Sequence, residues 1–74
     1  MNIKHSEEVL AEDPRTIKLT DLVGQLLKIR REFGLNPTTL RVNPSDEFLI
    51  KFNVVQGLRV VHDYNVPLGN IVLL

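Results

Sequence analysis

The residues that could carry out chemistry are few in this chain and do not lie at catalytic spacings. His62 and Asp63 are adjacent, as a base beside a carboxylate would be. Neighbours on a β-strand point to opposite faces of the sheet, so these two side chains would not form a dyad directly. Ser45 could complete a nominal serine, histidine and aspartate set. It lacks the strand–turn–helix context of a nucleophile elbow, and the first turn of a helix explains it better. We therefore expect no enzymatic activity.

Metal and thiol chemistry have no better support in the sequence. His5 and His62 have no further ligand at a metal-binding spacing. The chain has no cysteine, which excludes disulfides and thiolate zinc sites. The sequence therefore predicts neither a metal nor a cofactor.

Charged residues cluster at two places. Lys28, Arg30 and Arg31 stand near the end of a predicted helix, and an acidic segment covers residues 7–13. The basic cluster can be a solvated helix end, can pair with the acidic segment of a neighbouring subunit, or can pair with it within one chain. The candidate partner-contact residues are Glu7, Glu8, Lys28, Arg30 and Arg31. With nine basic and nine acidic residues, the chain lacks the basic excess typical of nucleic-acid binding, so no nucleic-acid partner is expected.

The strongest predicted element is a helix that Thr20 or Asp21 caps and that Gly34 ends. A short strand over Arg15–Leu19 would precede it. Gly24 is discordant in a helix interior: it indicates either close approach by another backbone or a tolerated defect, and the packing interpretation is favoured. The apolar stripe of this helix consists of Leu22, Leu26, Ile29 and Phe33, widened by Val23 and Leu27.

The stretch Thr39–Phe52 predicts a strand followed by a second helix. Leu40 and Val42 alternate with polar residues, and Asn43-Pro44 has the order of a helix N-cap and first helical residue. Alternation over residues 47–55 also allows a strand that turns near Gln56-Gly57. The cap order favours the helix, and the strand stays open as the alternative.

The rest of the chain predicts two more strands. Leu58–Tyr64 alternates as a strand, Asn65–Pro67 forms a loop, and Gly69-Asn70 is a turn signal. Ile71–Leu74 is apolar throughout and is expected to be buried on both faces or paired centrally.

Together these elements predict a small single α+β domain over residues 15–74, with a sheet of about four short strands packed with two main helices. Residues 1–14 are less determined: Ser6 could cap a short helix that Pro14 ends, or the segment could be a frayed terminus. The expected core is Leu26, Phe33, Leu40, Val42, Phe48, Phe52, Val60 and Ile71. No apolar run is long enough for a membrane span and no signal peptide is recognisable, so we expect a cytoplasmic or virion-associated protein.

One family resembles this pattern. The run begins with the helix and the strand that ends in Asn43-Pro44-Ser45-Asp46, and then has the short helix. Gly57-Leu58-Arg59-Val60-Val61, Val66-Pro67-Leu68-Gly69 and a last apolar strand follow. Over roughly residues 20–74 this order resembles the axial domain of tailed-phage major capsid proteins, a fold that encapsulin shells share. The resemblance implies no catalytic residues, and it implies self-association or docking onto a similar fold.

The chain departs from that family in two respects. A capsid subunit is several times longer, with a spine helix, a peripheral domain and an extended loop. The family also has a longer segment before the Gly-Leu strand than residues 53–56 provide. The resemblance therefore implies a phage- or prophage-derived structural or assembly protein whose partner is itself or a phage structural protein. The alternative hypothesis is a small regulatory or adaptor module with an unrelated protein partner.

Overall fold

One helix and one four-stranded mixed sheet make up the fold. The structure is a computed structural model and describes residues 13–74. Its elements are helix α1 (Pro14–Glu32), strand β1 (Thr39–Val42), a 3-10 turn (Leu49–Lys51), and strands β2 (Val54–Val55), β3 (Leu58–His62) and β4 (Ile71–Leu73). This is a small α+β domain, as the sequence predicts. The helix predicted within residues 6–11 lies outside the described residues.

Helix α1 begins earlier than the sequence analysis expected. The Asp13 carboxylate accepts a hydrogen bond from the Arg15 backbone N–H (2.9 Å), and Pro14 occupies the first helical position. The strand expected over Arg15–Leu19 is therefore wrong, and so is a cap at Thr20 or Asp21. The physical reason is that an aspartate cap followed by proline is a strong helix start. Pro14 opens this helix instead of only closing an earlier one.

The end of α1 is confirmed at Gly34. Its N–H donates to Arg31 O and the Leu35 N–H donates to Arg30 O, both at 3.0 Å, which is the paired bonding of a Schellman motif. Gly34 has φ +81°, in the left-handed region that this motif requires of its last residue.

The face of α1 that packs on the sheet differs from the predicted stripe. Val23 and Leu27, which were expected to widen the stripe, are buried together with Leu19. Of the predicted stripe, Leu26 is half-buried and packs against the core. The other three members remain exposed: Leu22 (47%), Ile29 (44%) and Phe33 (79%). Two apolar stripes lie side by side on this helix, and the buried one includes Leu19, which belongs to the helix because α1 begins at Pro14.

Strand β1 occupies the centre of the sheet. The strand order is β2-β3-β1-β4, with β1 parallel to β3 and antiparallel to β4. Leu40 and Val42 are almost fully buried under α1, which confirms the predicted alternation. The last strand lies at the edge of the sheet, so the expected central pairing of Ile71–Leu74 is wrong. The β2–β3 hairpin takes the opposite edge, and β3 therefore becomes the second inner strand.

The segment after β1 does not form the second main helix that was expected. Asn43 accepts from the Ser45 N–H (2.8 Å) in a local turn and donates its amide to Val66 O (2.9 Å). Asp46 then accepts from the N–H groups of Phe48 and Leu49, and only one 3-10 turn follows. Asn43 is thus engaged in a turn and a loop tether, which explains why it does not cap a helix.

The strand alternative for residues 47–55 is wrong over residues 47–53, and only Val54–Val55 form a strand, but the alternative places the following turn correctly. Val54 pairs with Arg59 and Val55 with Leu58 in a hairpin whose turn is Gln56-Gly57. Both turn residues have positive φ, as in the type I′ turns that suit the twist of paired strands.

The core contains part of the predicted set. Leu40 and Val42 are buried, Phe33 is exposed, and the other five pack partly buried against the core. Phe48 packs edge-on against Phe52 at 5.2 Å, beneath the Arg15 guanidinium at 4.5 Å. The buried cluster is Leu19, Val23, Leu27, Leu40, Val42, Leu49, Val55, Leu58 and Leu73.

Substitutions on two sides of α1 should separate core packing from helix propensity. Leu27→Ala should lower the free energy of unfolding by about 2–5 kcal/mol, because it empties space under the helix. Ile17→Ala is the control: Ile17 is 47% exposed, so its loss should cost less than about 1 kcal/mol. Urea unfolding of both variants measures the difference, and equal destabilisation would contradict the assigned face.

Two glycines should respond in opposite ways to alanine. Gly57 has φ +79°, and a Cβ there meets no atom within 4 Å, so Gly57→Ala should cost about 1–2 kcal/mol through backbone strain alone. A Cβ on Gly24 would lie 3.2 Å from the Gln56 amide nitrogen, an exposed side chain that can move. The close approach to Gly24 is therefore by a side chain and not by a backbone. Gly24→Ala should leave thermal stability unchanged or raise it, by up to about 1 kcal/mol. A stabilising Gly57→Ala would contradict the turn.

Candidate interaction surface

Of the three residues considered for catalysis, Ser45, His62 and Asp63, the aspartate stabilises a turn. The Asp63 carboxylate lies 3.1 Å from the Arg41 guanidinium and accepts from the Asn65 backbone N–H at 2.9 Å. His62 and Ser45 are exposed, and the Ser45 N–H donates to Asn43. No hydrogen bond joins Ser45, His62 and Asp63 to one another within residues 13–74.

The pKa of the Asp63 carboxyl is lowered from its ordinary value. The main cause is the hydrogen bond from the Asn65 backbone N–H, and the Arg41 guanidinium adds to it. The pKa of Asp13 is also lowered, chiefly by its side-chain hydrogen bond with Arg15. Both shifts favour the ionised carboxylate that binds these turns, so both groups act structurally.

Residues 13–74 contain neither a group of potential metal ligands nor a membrane-spanning helix. Within residues 13–74 no three histidine or acidic side chains are grouped as metal ligands. His5 lies outside the described residues. The one α-helix of residues 13–74 is not long and apolar enough to cross a membrane.

The basic cluster lies at the C-terminal end of α1, as predicted. Lys28 and Arg31 are exposed, whereas Arg30 is half-buried. Arg30 lines a groove of about 490 Å³ between the helix end and the last strand, with Leu35, Asn36, Pro37, Val72, Leu73 and Leu74. The acidic candidates Glu7 and Glu8 lie outside the described residues, so their pairing with this cluster stays a prediction.

A second apolar stripe runs along α1 beside the buried one. It consists of Leu22, Leu26, Ile29 and Phe33, at helical spacing, and three of the four are substantially exposed. Exposed leucines are common singly, but four aligned residues form a continuous strip about three turns long. The predicted stripe thus exists, on a different face from the one that covers the sheet.

This stripe lies on the side of α1 that faces β4. On the opposite side, Gln56 of the β2–β3 turn donates to Thr20 O and approaches Gly24. Leu22 is two residues from Thr20 and two from Gly24, which places it about 200° around the helix axis from both, on the opposite side of α1. Leu22 also lines a groove of about 300 Å³ with Phe48, Leu49 and Gly69, the last of which precedes β4.

Strand β4 is an edge strand, and no strand of residues 13–74 pairs with its outer side. Leu74 donates its backbone N–H to Thr39 O at 3.0 Å, and backbone groups alternate direction along a strand. The N–H and C=O groups of Val72 therefore also face β1, while those of Ile71 and Leu73 point away from the sheet. Native edge strands commonly carry charges, proline or bulges that prevent pairing, and Ile71–Leu74 has no charge and no proline.

The stripe of α1 and the open edge of β4 form one surface, which we call the edge surface. It comprises Leu22, Leu26, Ile29 and Phe33 of α1 with Ile71–Leu73 of β4. The sequence pattern did not predict this combined surface, because each half was expected to be buried within the domain. One feature of the sequence did indicate an exposed apolar surface: the helix carries more apolar residues than one of its faces can bury.

Removal of the Asp63 charge should reduce the acid sensitivity of the fold. Because its pKa is lower in the folded protein, Asp63 contributes stability above the unfolded value of about 3.9, and this contribution is lost as the pH falls through the folded pKa. In Asp63→Asn the free energy of unfolding should therefore fall less steeply below about pH 4 than in the wild type. The pKa of Asp13 is also lowered in the folded protein, so part of the pH dependence of stability remains in the variant. Urea unfolding from pH 7 to pH 2 measures both, and an unchanged slope would refute the role of Asp63.

Comparison with known proteins gives no additional assignment. No family model, curated protein or solved structure matches the chain. The geometry of residues 13–74 and the pattern of the sequence are therefore the observations from which a function can be inferred.

Proposed function

We propose that this protein is a non-enzymatic, phage- or prophage-derived structural or assembly protein that acts through protein–protein contacts. The observation that carries the proposal is the edge surface, where an exposed apolar stripe stands beside an edge strand that no other strand of residues 13–74 covers. Each feature alone is a cost in water: apolar area remains hydrated, and the free strand can pair non-specifically. A partner that covers both removes both costs at once.

The polar residues support the same conclusion. Asp13 and Asp46 bond backbone N–H groups at the starts of helical segments, and Asn43 and Asp63 bond those of turns. These groups are engaged in holding the backbone within the described chain. A catalytic site instead needs a nucleophile, a base and an orienting group that meet at one place.

The phage origin rests on the order of elements. Helix, strand, Asn43-Pro44 turn, Gly57-Leu58 strand, Pro67–Gly69 turn and last strand follow one another in the order of the capsid-domain resemblance, with a 3-10 turn and strand β2 in place of its short helix. This shared order is what supports the proposed origin. The proposed partner is a second copy of the chain or a phage structural protein.

Charge offers a further contact between subunits. Lys28, Arg30 and Arg31 would meet Glu7 and Glu8 of a neighbouring copy, a contact between two different surfaces that can extend into a ring or chain. Exposed ion pairs contribute about 0.2–1 kcal/mol each and weaken with salt. Such a contact could adjust an assembly but would not hold it together alone.

Static light scattering tests the proposal most simply. The average mass should rise with protein concentration, and the rise should persist in high salt because the edge surface is apolar. A loss of part of the association in high salt would reveal the charged contact. A strictly monomeric protein under all conditions, with no phage structural protein captured by it in a pull-down, would refute the proposal and favour the adaptor hypothesis.

A further inference from the structure

We infer that the edge surface is the interface of a two-fold symmetric dimer, in which β4 pairs antiparallel with β4 of a second copy and the two α1 stripes pack on each other. This rests on the proposed function and names its partner as an identical chain. The four-stranded sheets would join into one sheet of eight strands, with both helices on the same face. Such an interface is isologous and closes after two copies.

The backbone of β4 fits this arrangement. Ile71 and Leu73 direct their N–H and C=O groups outward, and two antiparallel copies present the same alternation to each other. The strand has no charge that would lie opposite itself across the two-fold axis. A ladder between identical apolar strands therefore needs no change in either copy.

The same two-fold axis also determines how the two α1 helices lie relative to each other. A two-fold axis perpendicular to the sheet reverses every direction in its plane, so the α1 helices run antiparallel on either side of it. The stripe of Leu22, Ile29 and Phe33 lies on the β4 side of each helix and would meet its counterpart. One symmetry operation thus covers the strand edge and the helix stripe together.

Charge complementarity favours an identical chain as the occupant. Lys18 and Glu32 border the outer side of the stripe near its two ends, about 21 Å apart along the helix. Both are exposed, and neither forms an ion pair within residues 13–74. In an antiparallel pair of helices, Lys18 of each copy comes beside Glu32 of the other, so the symmetry forms two opposite-charge contacts.

A matched pair of substitutions tests the helix half of the surface. Leu22 and Ile17 are equally exposed, at 47%, but lie about 140° apart around α1. Leu22→Glu should raise the dimer dissociation constant about a hundredfold, since it buries a charge in an apolar contact. Ile17→Glu should leave that constant within about threefold of the wild type. Sedimentation equilibrium of the full chain measures both, and circular dichroism verifies that each variant is folded.

A charge-exchange experiment tests the symmetry itself. Lys18→Glu and Glu32→Lys alone each place two like-charge pairs in a homodimer, so each should raise the dissociation constant about tenfold at low ionic strength. When the two variants are mixed, both pairs become opposite in charge, and a heterodimer should form with a constant within about threefold of the wild type. The change of Glu32 to lysine also suits the helix dipole, so destabilisation of α1 would not explain a weakened homodimer.

The outcomes separate this inference from the proposed function. An oligomeric wild type that Leu22→Glu leaves unchanged, or a mixture of charge variants that stays monomeric, overturns the two-fold dimer while association stands. A monomeric wild type that binds a phage structural protein overturns the dimer alone. A monomeric wild type that binds none overturns both.

Discussion

The packing of Leu19, Val23 and Leu27 on the central strand β1 is the interaction on which the rest of the structure depends. These helix residues and Leu40 and Val42 are all buried, in the part of the sheet where β1 has a neighbour on each side. Each buried aliphatic side chain stabilises the fold by about 1.5–3 kcal/mol. In a domain of this size the net stability is only a few kcal/mol, so a single helix layer is the main source of it.

The same constraint creates the edge surface. A helix can bury one stripe of about 100° against a sheet, and α1 carries two. The helix turns the stripe that includes Leu19 toward β1, so the stripe of Leu22 and Ile29 is left beside the sheet. Because β4 is the strand on that side, its open edge adds to the exposed apolar area. The candidate interface is thus a consequence of how the core forms.

Local signals in the sequence predicted the local structure well. The glycine end of α1, the alternation of β1 and the Gly69-Asn70 turn all depend on a few adjacent residues, and so does the Gln56-Gly57 turn, which only the less favoured strand alternative placed. Gly69 has φ +85° and the Asn70 N–H donates to Pro67 O, as a turn there requires. Turn chemistry is encoded where it acts, so it can be read before the fold is known.

The tertiary arrangement of these elements could not be predicted from adjacent residues in the same way. Either stripe of α1 could have covered the sheet, and the buried one includes Leu19, which the sequence placed in a strand before the helix. An apolar last strand is typical of a central position, but β4 lies at the edge because the β2–β3 hairpin occupies the other side. Asn43 could have been a helix cap, and its tether to Val66 O is a contact across 23 residues of sequence. Each of these outcomes depends on residues far apart in the chain.

Amide hydrogen exchange of β4 tests the central claim most directly. In a monomer the Val72 N–H bonds to β1, while the N–H groups of Ile71 and Leu73 face away from the sheet and have no partner strand within residues 13–74. At protein concentrations where the chain associates, the Ile71 and Leu73 amides should become protected to the level of Val72, and dilution should remove their protection alone. Association that leaves these two amides in rapid exchange would contradict the account, because the partner would then be bound elsewhere.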